Sequence, residues 1–289
     1  MSFRLRLEGF VRTARAGTIW PRIRARAGTI CALTLALAAA SGGTPAHAAE
    51  ATPTPAPAGA PGLAIDAARL AAQPEVIARA LRANVVIERA QRGDQPAMVA
   101  AGVILRLHDG TATIVTAQHV VDPRFKSSAR ATASPETLPA ITVTSIGGVR
   151  APGKVEWLAP HGVDLAIVSA RLPDAEARTA TRADDAPLPT RGERVFTIGN
   201  PQGGYWTRVD GTVKQQREAR QDGVGVTLLW SDLVVPPGFS GGGLYDAQGR
   251  LIAVDSTRGA ISSGAQGRAL LLATALRALE ELAPGDAGR

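Results

Sequence analysis

The amino-acid sequence predicts an all-β fold of two six-stranded antiparallel β-barrels, with short N-terminal helices and a C-terminal helix. From about residue 84 the apolar side chains recur at every second position, as they do in half-buried strands. The strand-like segments are short, and turn signals separate them. Roughly six of them fall on each side of a polar, proline-containing stretch at 173–190. A single β-sandwich is the alternative architecture.

Residues 1–48 predict a secretory signal peptide. An arginine-rich stretch ends at Arg26, an apolar run follows at 29–40, and an Ala-His-Ala cleavage site ends at Ala48. The apolar run is too short to span a bilayer, which takes about 20 residues. Cleavage there predicts a periplasmic or secreted protein without a stable membrane span. It would also remove Cys31, the only cysteine, and leave neither a disulfide nor a thiol nucleophile.

The positive charge of the chain lies mostly in this leader. The formal net charge is +7, but residues 1–48 hold seven arginines and one acidic residue, so the remainder has 25 basic and 24 acidic residues. A near-neutral body lacks the field that nucleic-acid binding requires, and we expect no such partner. The few histidines are scattered and no cysteine remains after cleavage, so we expect no metal site.

The mature chain is predicted to divide into successive segments. Residues 49–62 are rich in Ala, Pro, Thr and Gly, which is typical of a flexible linker. Apolar residues at helical spacing follow from residue 65, and Pro74 divides this stretch into short helices. The remaining boundaries are a first barrel at about 84–172, a connection at 173–190, a second barrel at about 191–272 and a helix at 273–283.

Alternation of apolar and polar residues locates the individual strands. In the first barrel the candidates are 84–89, 99–107, 111–116, 140–144, 153–158 and 164–170. In the second barrel they are 194–198, 205–216, 223–230, 242–245, 251–255 and 269–272. Turn residues at 108–110 and 246–249 predict tight connections between neighbouring strands.

Three distant segments supply the parts of a nucleophilic site. Ser240 lies among glycines in the sequence PPGFSGGGL at 236–244, where small neighbours let a substrate carbonyl approach. His119, after an apolar strand, would be the base, and Asp164, at the head of another strand, would orient the imidazole. The chain order His, Asp, Ser is known for this triad. In the two-barrel fold the triad would form in the cleft between the barrels.

Each of these assignments has an alternative. Ser240 could be an ordinary serine of a glycine loop. His161 is a minor rival for the base, and Asp255, at the end of a strand, is the rival orienter. The backbone N–H groups of Gly238 and Ser240 are candidates for an oxyanion hole, in which one donor typically contributes ~3 kcal/mol of transition-state stabilisation.

These segments together resemble a trypsin-fold serine peptidase, and within that fold the HtrA/Deg-type bacterial group. The matching segments are TAQHVV at 116–121, VDLAIV at 163–168, IGNP at 198–201 with the glycines at 203 and 204, Ser231 with Asp232, and GFSGG at 238–242. The resemblance implies a double barrel, endopeptidase activity on polypeptides, unfolded proteins among them, and no metal or cofactor. It carries the triad onto His119, Asp164 and Ser240, and the oxyanion donors onto Gly238 and Ser240.

The sequence departs from the family at the residue before the serine. This residue is usually Asn or Asp in such enzymes, and here it is Phe239. The departure motivates an alternative function, a proteolytically inactive binding or chaperone module. Hydrolysis of another ester or amide at the same site is a third possibility. No PDZ-type module is expected after residue 282, and the oligomeric state is left open.

The resemblance also locates the substrate pocket. Its walls correspond to Val234, Val235, Ser256 and Thr257. None of these side chains is charged, which disfavours cleavage after Lys or Arg. The prediction is therefore a pocket for small to medium apolar side chains, which hydrophobic pockets separate by size only weakly.

Overall fold

Two closed antiparallel barrels of six strands each form the fold. The computed structural model describes residues 63–93, 96–127, 133–183, 187–202, 204–221, 224–256 and 267–271, all within one compact unit. The all-β double-barrel prediction is therefore confirmed. The signal peptide, the linker at 49–62 and the helix at 273–283 lie outside the described residues and stay predictions.

The first barrel has the strand order β1-β2-β3-β6-β5-β4, and every pairing in it is antiparallel. Its strands are β1 (Asn84–Arg89), β2 (Met98–His108), β3 (Thr111–Thr116), β4 (Ile141–Thr144), β5 (Arg150–Leu158) and β6 (Ala166–Arg171). A one-turn helix, α3 (Gln118–Val121), follows β3, and a 3-10 turn (Pro135–Thr137) precedes β4.

The second barrel has the strand order β10-β11-β12-β9-β8-β7 and is also antiparallel throughout. Its strands are β7 (Arg194–Gly199), β8 (Thr207–Gln221), β9 (Val224–Ser231), β10 (Gly243–Asp246), β11 (Leu251–Asp255) and β12 (Gly267–Leu271). β10 lies between β7 and β11, and it begins directly after the glycines that follow Ser240.

Three apolar clusters hold the barrels together. One fills the first barrel, around Val85, Ile114 and Val168. Another fills the second barrel, around Leu229 and Leu244. The third cluster contains buried residues of both barrels and of the N-terminal segment, so the barrels share a core. Burial at about 25 cal/mol per Å² of apolar surface is the main favourable contribution to such a core.

The N-terminal helices pack against both barrels. Asp66 caps α1 (Ala67–Ala71) by accepting a hydrogen bond from the N–H of Ala68 at 2.9 Å. Pro74 separates α1 from α2 (Glu75–Ala83), as the sequence predicts, since proline suits the start of a helix better than its interior.

The stretch before α1 joins the two barrels through its backbone. The indole N–H of Trp206, from the second barrel, donates to the carbonyl of Leu63 at 2.7 Å. The N–H of Ile65 donates to the carbonyl of Ile146, at the β4–β5 turn of the first barrel, at 3.0 Å. A segment without an assigned role in the sequence thus has a structural one. Among the described residues, no helix has the length and hydropathy of a membrane span.

Candidate active site

Pairing of β3 with β6 brings His119 and Asp164 to the same end of the first barrel. Thr116, the last residue of β3, lies opposite Ala166, the first residue of β6. His119 follows Thr116 by three residues on α3, and Asp164 precedes Ala166 by two, in the loop before the strand. The strand predicted at 164–170 therefore begins two residues later. His119 lies on a helical turn just beyond β3.

Two hydrogen bonds join the histidine to the aspartate. Nδ1 of His119 lies 2.8 Å from Oδ2 of Asp164, and the backbone N–H of His119 donates to Oδ1 at 3.0 Å. Both side chains are buried. With an ionised carboxylate, Nδ1 carries the proton and Nε2 is left with its lone pair. This is the tautomer that a general base requires.

The guanidinium of Arg89 fixes the helical turn that carries the histidine. Its Nη1 donates to the carbonyl of His119 at 3.2 Å and to that of Val120 at 2.6 Å. These are carbonyls that a one-turn helix leaves without a helical partner. Burial lowers the pKa of Arg89, and the charge of Asp122 partly offsets this effect.

Asp164 is ionised in spite of its burial. Burial alone would raise the pKa of its carboxyl, but the hydrogen bonds and charge of His119 act in the opposite direction. The hydroxyl of Ser256 adds a third donor, at 2.5 Å from Oδ2. The pKa of Asp164 consequently lies below its ordinary value. The carboxylate is thus held as an anion, which can stabilise an imidazolium.

The loop of Ser240 is anchored to both barrels. The carbonyl of Ser240 accepts a hydrogen bond from the N–H of Ala101, on β2 of the first barrel, at 3.0 Å. In the second barrel, the N–H of Gly241 donates to the carbonyl of Asp255, and the N–H of Asp255 donates to the carbonyl of Gly242, both at 2.8 Å. The serine therefore lies where the two barrels meet.

Close backbone contact brings this loop beside the segment that leads to the histidine. Gly241 has φ +81°, and a Cβ there would overlap Oγ1 of Thr116 and the carbonyl of Ala101. It would also lie 2.9 Å from the amide nitrogen of Ala117, two residues before His119. A glycine is required here both for the backbone angle and for the space.

Gly238, the candidate oxyanion donor, also has a backbone that only glycine adopts without strain. Its φ is +108°, and a Cβ would overlap the carbonyl of Asn200. The N–H of Asn200 donates to the carbonyl of Gly238 at 2.9 Å. The side-chain amide of Asn200 donates in turn to the carbonyls of Val85 and Ala100, at 3.3 and 3.0 Å. One asparagine thus joins this loop to the first barrel.

Phe239, the departure from the family pattern, is fully buried beneath the loop. Its ring lies against Gly199 at the end of β7, where a Cβ would overlap the ring. The side chain therefore contributes packing, and it does not present its ring to a substrate.

The predicted pocket residues lie in different surroundings. Val234 is 67% exposed, and Val235 is half-buried. Ser256 is buried, and its hydroxyl contacts Asp164, which the sequence reasoning missed because a serine after a strand gives no local signal. Thr257 lies outside the described residues.

The structure distinguishes the predicted pair from its rivals. Asp164 accepts the hydrogen bonds of His119, whereas the carboxyl of Asp255 accepts one from Thr197. His161 is exposed. Within the described ranges, no three His, Cys, Asp or Glu side chains are grouped closely enough to bind a metal ion.

A double barrel with a buried histidine–aspartate pair beside a glycine-flanked serine defines the class of trypsin-fold proteins. The family model of the trypsin-like peptidase domain matches residues 100–254, more than half of the chain. The chain belongs to this family.

Individual relatives support the HtrA-type resemblance. The chain is 29% identical over 168 residues to serine protease Do-like HtrB of Bacillus subtilis (strain 168), a match of 55% of this chain and 32% of the relative. It is 27% identical over 167 residues to serine protease Do-like HtrA of the same organism, covering 55% and 33% of the two chains. The chain thus spans about a third of the length of these relatives.

Solved structures share the fold. Rv3671c of M. tuberculosis H37Rv, in an inactive form, superposes with a TM-score of 0.56 at 20% identity, over 78% of this chain and 97% of that one. The HtrA-type protease AlgW with a tripeptide gives 0.55 at 23% identity, over 72% and 62%. The serine endoprotease of Yersinia pestis gives 0.54 at 21% identity, over 72% and 65%.

Proposed function

We propose that the protein is a serine endopeptidase that hydrolyses polypeptides through an acyl-enzyme. The observation that carries the proposal is the buried, doubly hydrogen-bonded pair of His119 and Asp164, next to the anchored loop of Ser240. Membership of the trypsin-like peptidase family supports the same activity.

In the proposed mechanism His119 acts first as a base and then as an acid. Nε2 takes the proton of the Ser240 hydroxyl as its oxygen bonds to the substrate carbonyl carbon, and Asp164 stabilises the imidazolium. The N–H groups of Gly238 and Ser240 receive the negative charge of the tetrahedral intermediate. The imidazolium then gives its proton to the leaving amine, and water, deprotonated by His119, hydrolyses the acyl-enzyme.

The location and the substrate belong to the same proposal. The leader at 1–48 supports a periplasmic or secreted enzyme, and unfolded proteins are the substrate class that we propose for it, in protein quality control. The apolar, uncharged side chains of Val234 and Val235, which we expect to line the substrate pocket, support cleavage beside small to medium apolar residues. The burial of Phe239 supports a packing role for this residue, and the inactive binding module remains the alternative that the activity test decides.

A fluorophosphonate probe tests the proposal, because it labels an activated serine whatever the peptide preference. The wild-type protein should be labelled and should cleave casein. Ser240→Ala should abolish both. Ser169→Ala, a serine of β6 that contacts Glu156, is the matched control and should behave as wild type. Labelling of Ser240→Ala at the wild-type rate would overturn the proposal. Labelling and small-ester hydrolysis without casein cleavage would point to a different hydrolase.

A further inference from the structure

The second barrel contains a buried carboxyl that the proposed mechanism does not use. Asp255 is the last residue of β11 and is 1% exposed. Residues two apart on a strand share a face, and Ala253 belongs to the apolar core of the second barrel. The carboxyl of Asp255 therefore lies on the inner face of that barrel, among apolar side chains.

The surroundings of Asp255 favour its neutral form. The hydroxyl of Thr197, in the middle of β7, donates to Oδ2. Burial raises the pKa of Asp255 to about 7, and the hydrogen bond from Thr197 opposes this only in part. Among the described side chains no cation pairs with this carboxyl, and a carboxylate among apolar side chains is costly, so the group retains its proton below about pH 7.

Little else that titrates faces this carboxyl among the described side chains. From β10 the titratable group is Tyr245, whose hydroxyl accepts a hydrogen bond from Nδ2 of Asn84 at 2.6 Å. Its pKa is raised above the ordinary value by burial and by Asp255, so it stays neutral at physiological pH. From β7 the facing group is Thr197, and from β12 it is Ala269, and neither titrates.

The loop of Ser240 is held between the ends of β7 and β11. On the β11 side, Asp255 exchanges backbone hydrogen bonds with Gly241 and Gly242. On the β7 side, the N–H of Asn200 donates to the carbonyl of Gly238, and the backbone of Gly242 lies directly against the carbonyl of Ile198. Residues on both sides of the serine are therefore fixed by these two strand ends.

The side chains of Thr197 and Asp255 connect those strand ends. β10 separates β7 from β11 in the barrel, and it begins at Gly243. The hydrogen bond between the hydroxyl and the carboxyl spans the start of β10, because Thr197 lies opposite Leu244 and Asp255 exchanges backbone hydrogen bonds with Gly241 and Gly242.

We propose that Asp255 is a positioning residue for the nucleophile: its neutral carboxyl, hydrogen-bonded to Thr197, joins β7 to β11 and holds residues 238–242 in the reactive arrangement. This inference rests on the proposed role of Ser240. Ionisation places an anion in the apolar interior, where the cost of burying the charge favours a rearrangement of these strands. Reactivity of the serine therefore falls as the pH rises above about 7, where a histidine base alone would give a plateau.

The test is the second-order rate of fluorophosphonate labelling between pH 5.5 and 9.5. For the wild type we expect a fall of about tenfold per pH unit above roughly pH 7. Asp255→Asn keeps the hydrogen bond and cannot ionise, so its rate should stay level to about pH 9. Thr197→Val removes a donor that favours the anion, so its fall should move to higher pH.

Asp246→Asn is the matched control. Asp246 is a buried aspartate of the same barrel, but it pairs with Arg250 at 2.6 Å, and its variant should follow the wild-type pH profile. The inference would be overturned if the labelling rate of Asp255→Asn fell above pH 7 as the wild-type rate does, or if the wild-type rate stayed level. If Asp255→Asn fails to fold, the Thr197→Val variant still tests the inference. A labelling rate that begins to fall at the same pH as in the wild type would overturn it.

Failure of the proposed function gives a different result. A wild-type protein that is unlabelled at every pH overturns the proposed peptidase and the nucleophile-positioning role with it. If the wild type is labelled but its labelling rate stays level at alkaline pH, only the positioning role of Asp255 is overturned. Thermal unfolding of the same variants adds a readout that does not need activity. Relative to the wild type, the melting temperature of Asp255→Asn should rise between pH 5 and pH 8. A difference in melting temperature that stays constant over this range would contradict a neutral Asp255.

Discussion

Asp164 and Asp255 are buried to nearly the same extent, one in each barrel, yet their pKa values move in opposite directions. They are 4% and 1% exposed. Asp164 accepts hydrogen bonds from the backbone N–H and ring of His119 and from Ser256, and its pKa is lowered. Asp255 accepts one from Thr197, and burial raises its pKa to about 7.

The difference shows that, of two aspartates buried to a similar extent, the one with more hydrogen-bond donors is charged. The two sites are adjacent in the molecule, since Ser256 follows Asp255 in the chain and donates to Asp164. Below about pH 7 two neighbouring aspartates thus differ in charge, with Asp164 an anion and Asp255 a neutral acid. The anion suits a histidine that becomes an imidazolium, whereas the neutral acid suits a barrel interior.

The largest expected effect is on the labelling rate, and it differs between variants of the two aspartates. Asp164→Asn should lower the probe-labelling rate by about 10⁴-fold, because the amide no longer holds His119 in the required tautomer. Asp255→Asn, assayed at pH 6, should stay within about threefold of wild type, because the amide mimics the neutral acid. Labelling kinetics on both variants measure the contrast. Equal losses would show that the two carboxyls have the same role.

The next effect is on stability, and its sign differs between the sites. The lowered pKa of Asp164 stabilises the fold above the carboxyl's ordinary pKa, and this contribution disappears as the pH falls below it. The raised pKa of Asp255 stabilises the fold below the ordinary pKa, and this contribution is lost as the pH rises to about 7.

Denaturant unfolding at several pH values measures this second contrast. Relative to wild type, Asp255→Asn should gain about 4 kcal/mol in the free energy of unfolding between pH 4 and pH 7, since each pKa unit corresponds to about 1.4 kcal/mol. Relative to Asp164→Asn, the wild type should lose stability below pH 4. Parallel curves for wild type and Asp255→Asn would contradict the assignment of a neutral acid.

The fold could be predicted from the sequence because each strand of a closed barrel has one buried face. The alternation in residues 111–116 located β3 to the residue. The signal weakens where neither face is buried. β8 is predicted to end at residue 216, but it continues past the exposed residues Arg217 and Glu218 to Gln221 and pairs with β9 over this length. Strand pairing extends further there than the apolar pattern does.

The sequence predicts only those residues of the candidate site that a local sequence pattern marks. His119 and Asp164 each follow or precede an apolar strand, and the structure brings them into contact. The contact of Ser256 with Asp164 joins residues 92 positions apart, and nothing near Ser256 in the sequence indicates it. The ionisation of Asp255 depends on which face of its strand is enclosed, which the fold decides and the residue type does not.

A smaller effect is expected when a single hydrogen-bond donor of Asp164 is removed. Ser256→Ala removes the hydroxyl from Oδ2, so the pKa of Asp164 should move up towards its ordinary value. We expect the labelling rate to fall by about tenfold, because one hydrogen bond to a charged group contributes about 1.5–3 kcal/mol and water replaces part of it. Ser145→Ala is the matched control, since Ser145 donates to Asp174 at 2.5 Å in the same barrel. An equal loss in Ser145→Ala would contradict a specific role for Ser256.

The smallest effect is expected at a carboxylate that has several donors but little burial. Asp232 accepts hydrogen bonds from the backbone and hydroxyl of Thr212, at 2.5 and 2.9 Å, and lies 2.7 Å from Nζ of Lys214. The hydrogen bond from Lys214 contributes most to a pKa well below the usual range. Asp232 is nonetheless exposed, so water competes for the same oxygens.

Asp232→Asn should therefore lower the free energy of unfolding by less than about 1 kcal/mol and leave labelling within about twofold. Denaturant unfolding in low and high salt measures the effect, which salt should reduce further. A loss of several kcal/mol would mean that the number of hydrogen-bond donors alone determines how much a carboxylate contributes to the free energy of unfolding. A small loss would show that hydrogen-bond donors become decisive for stability only where burial excludes water.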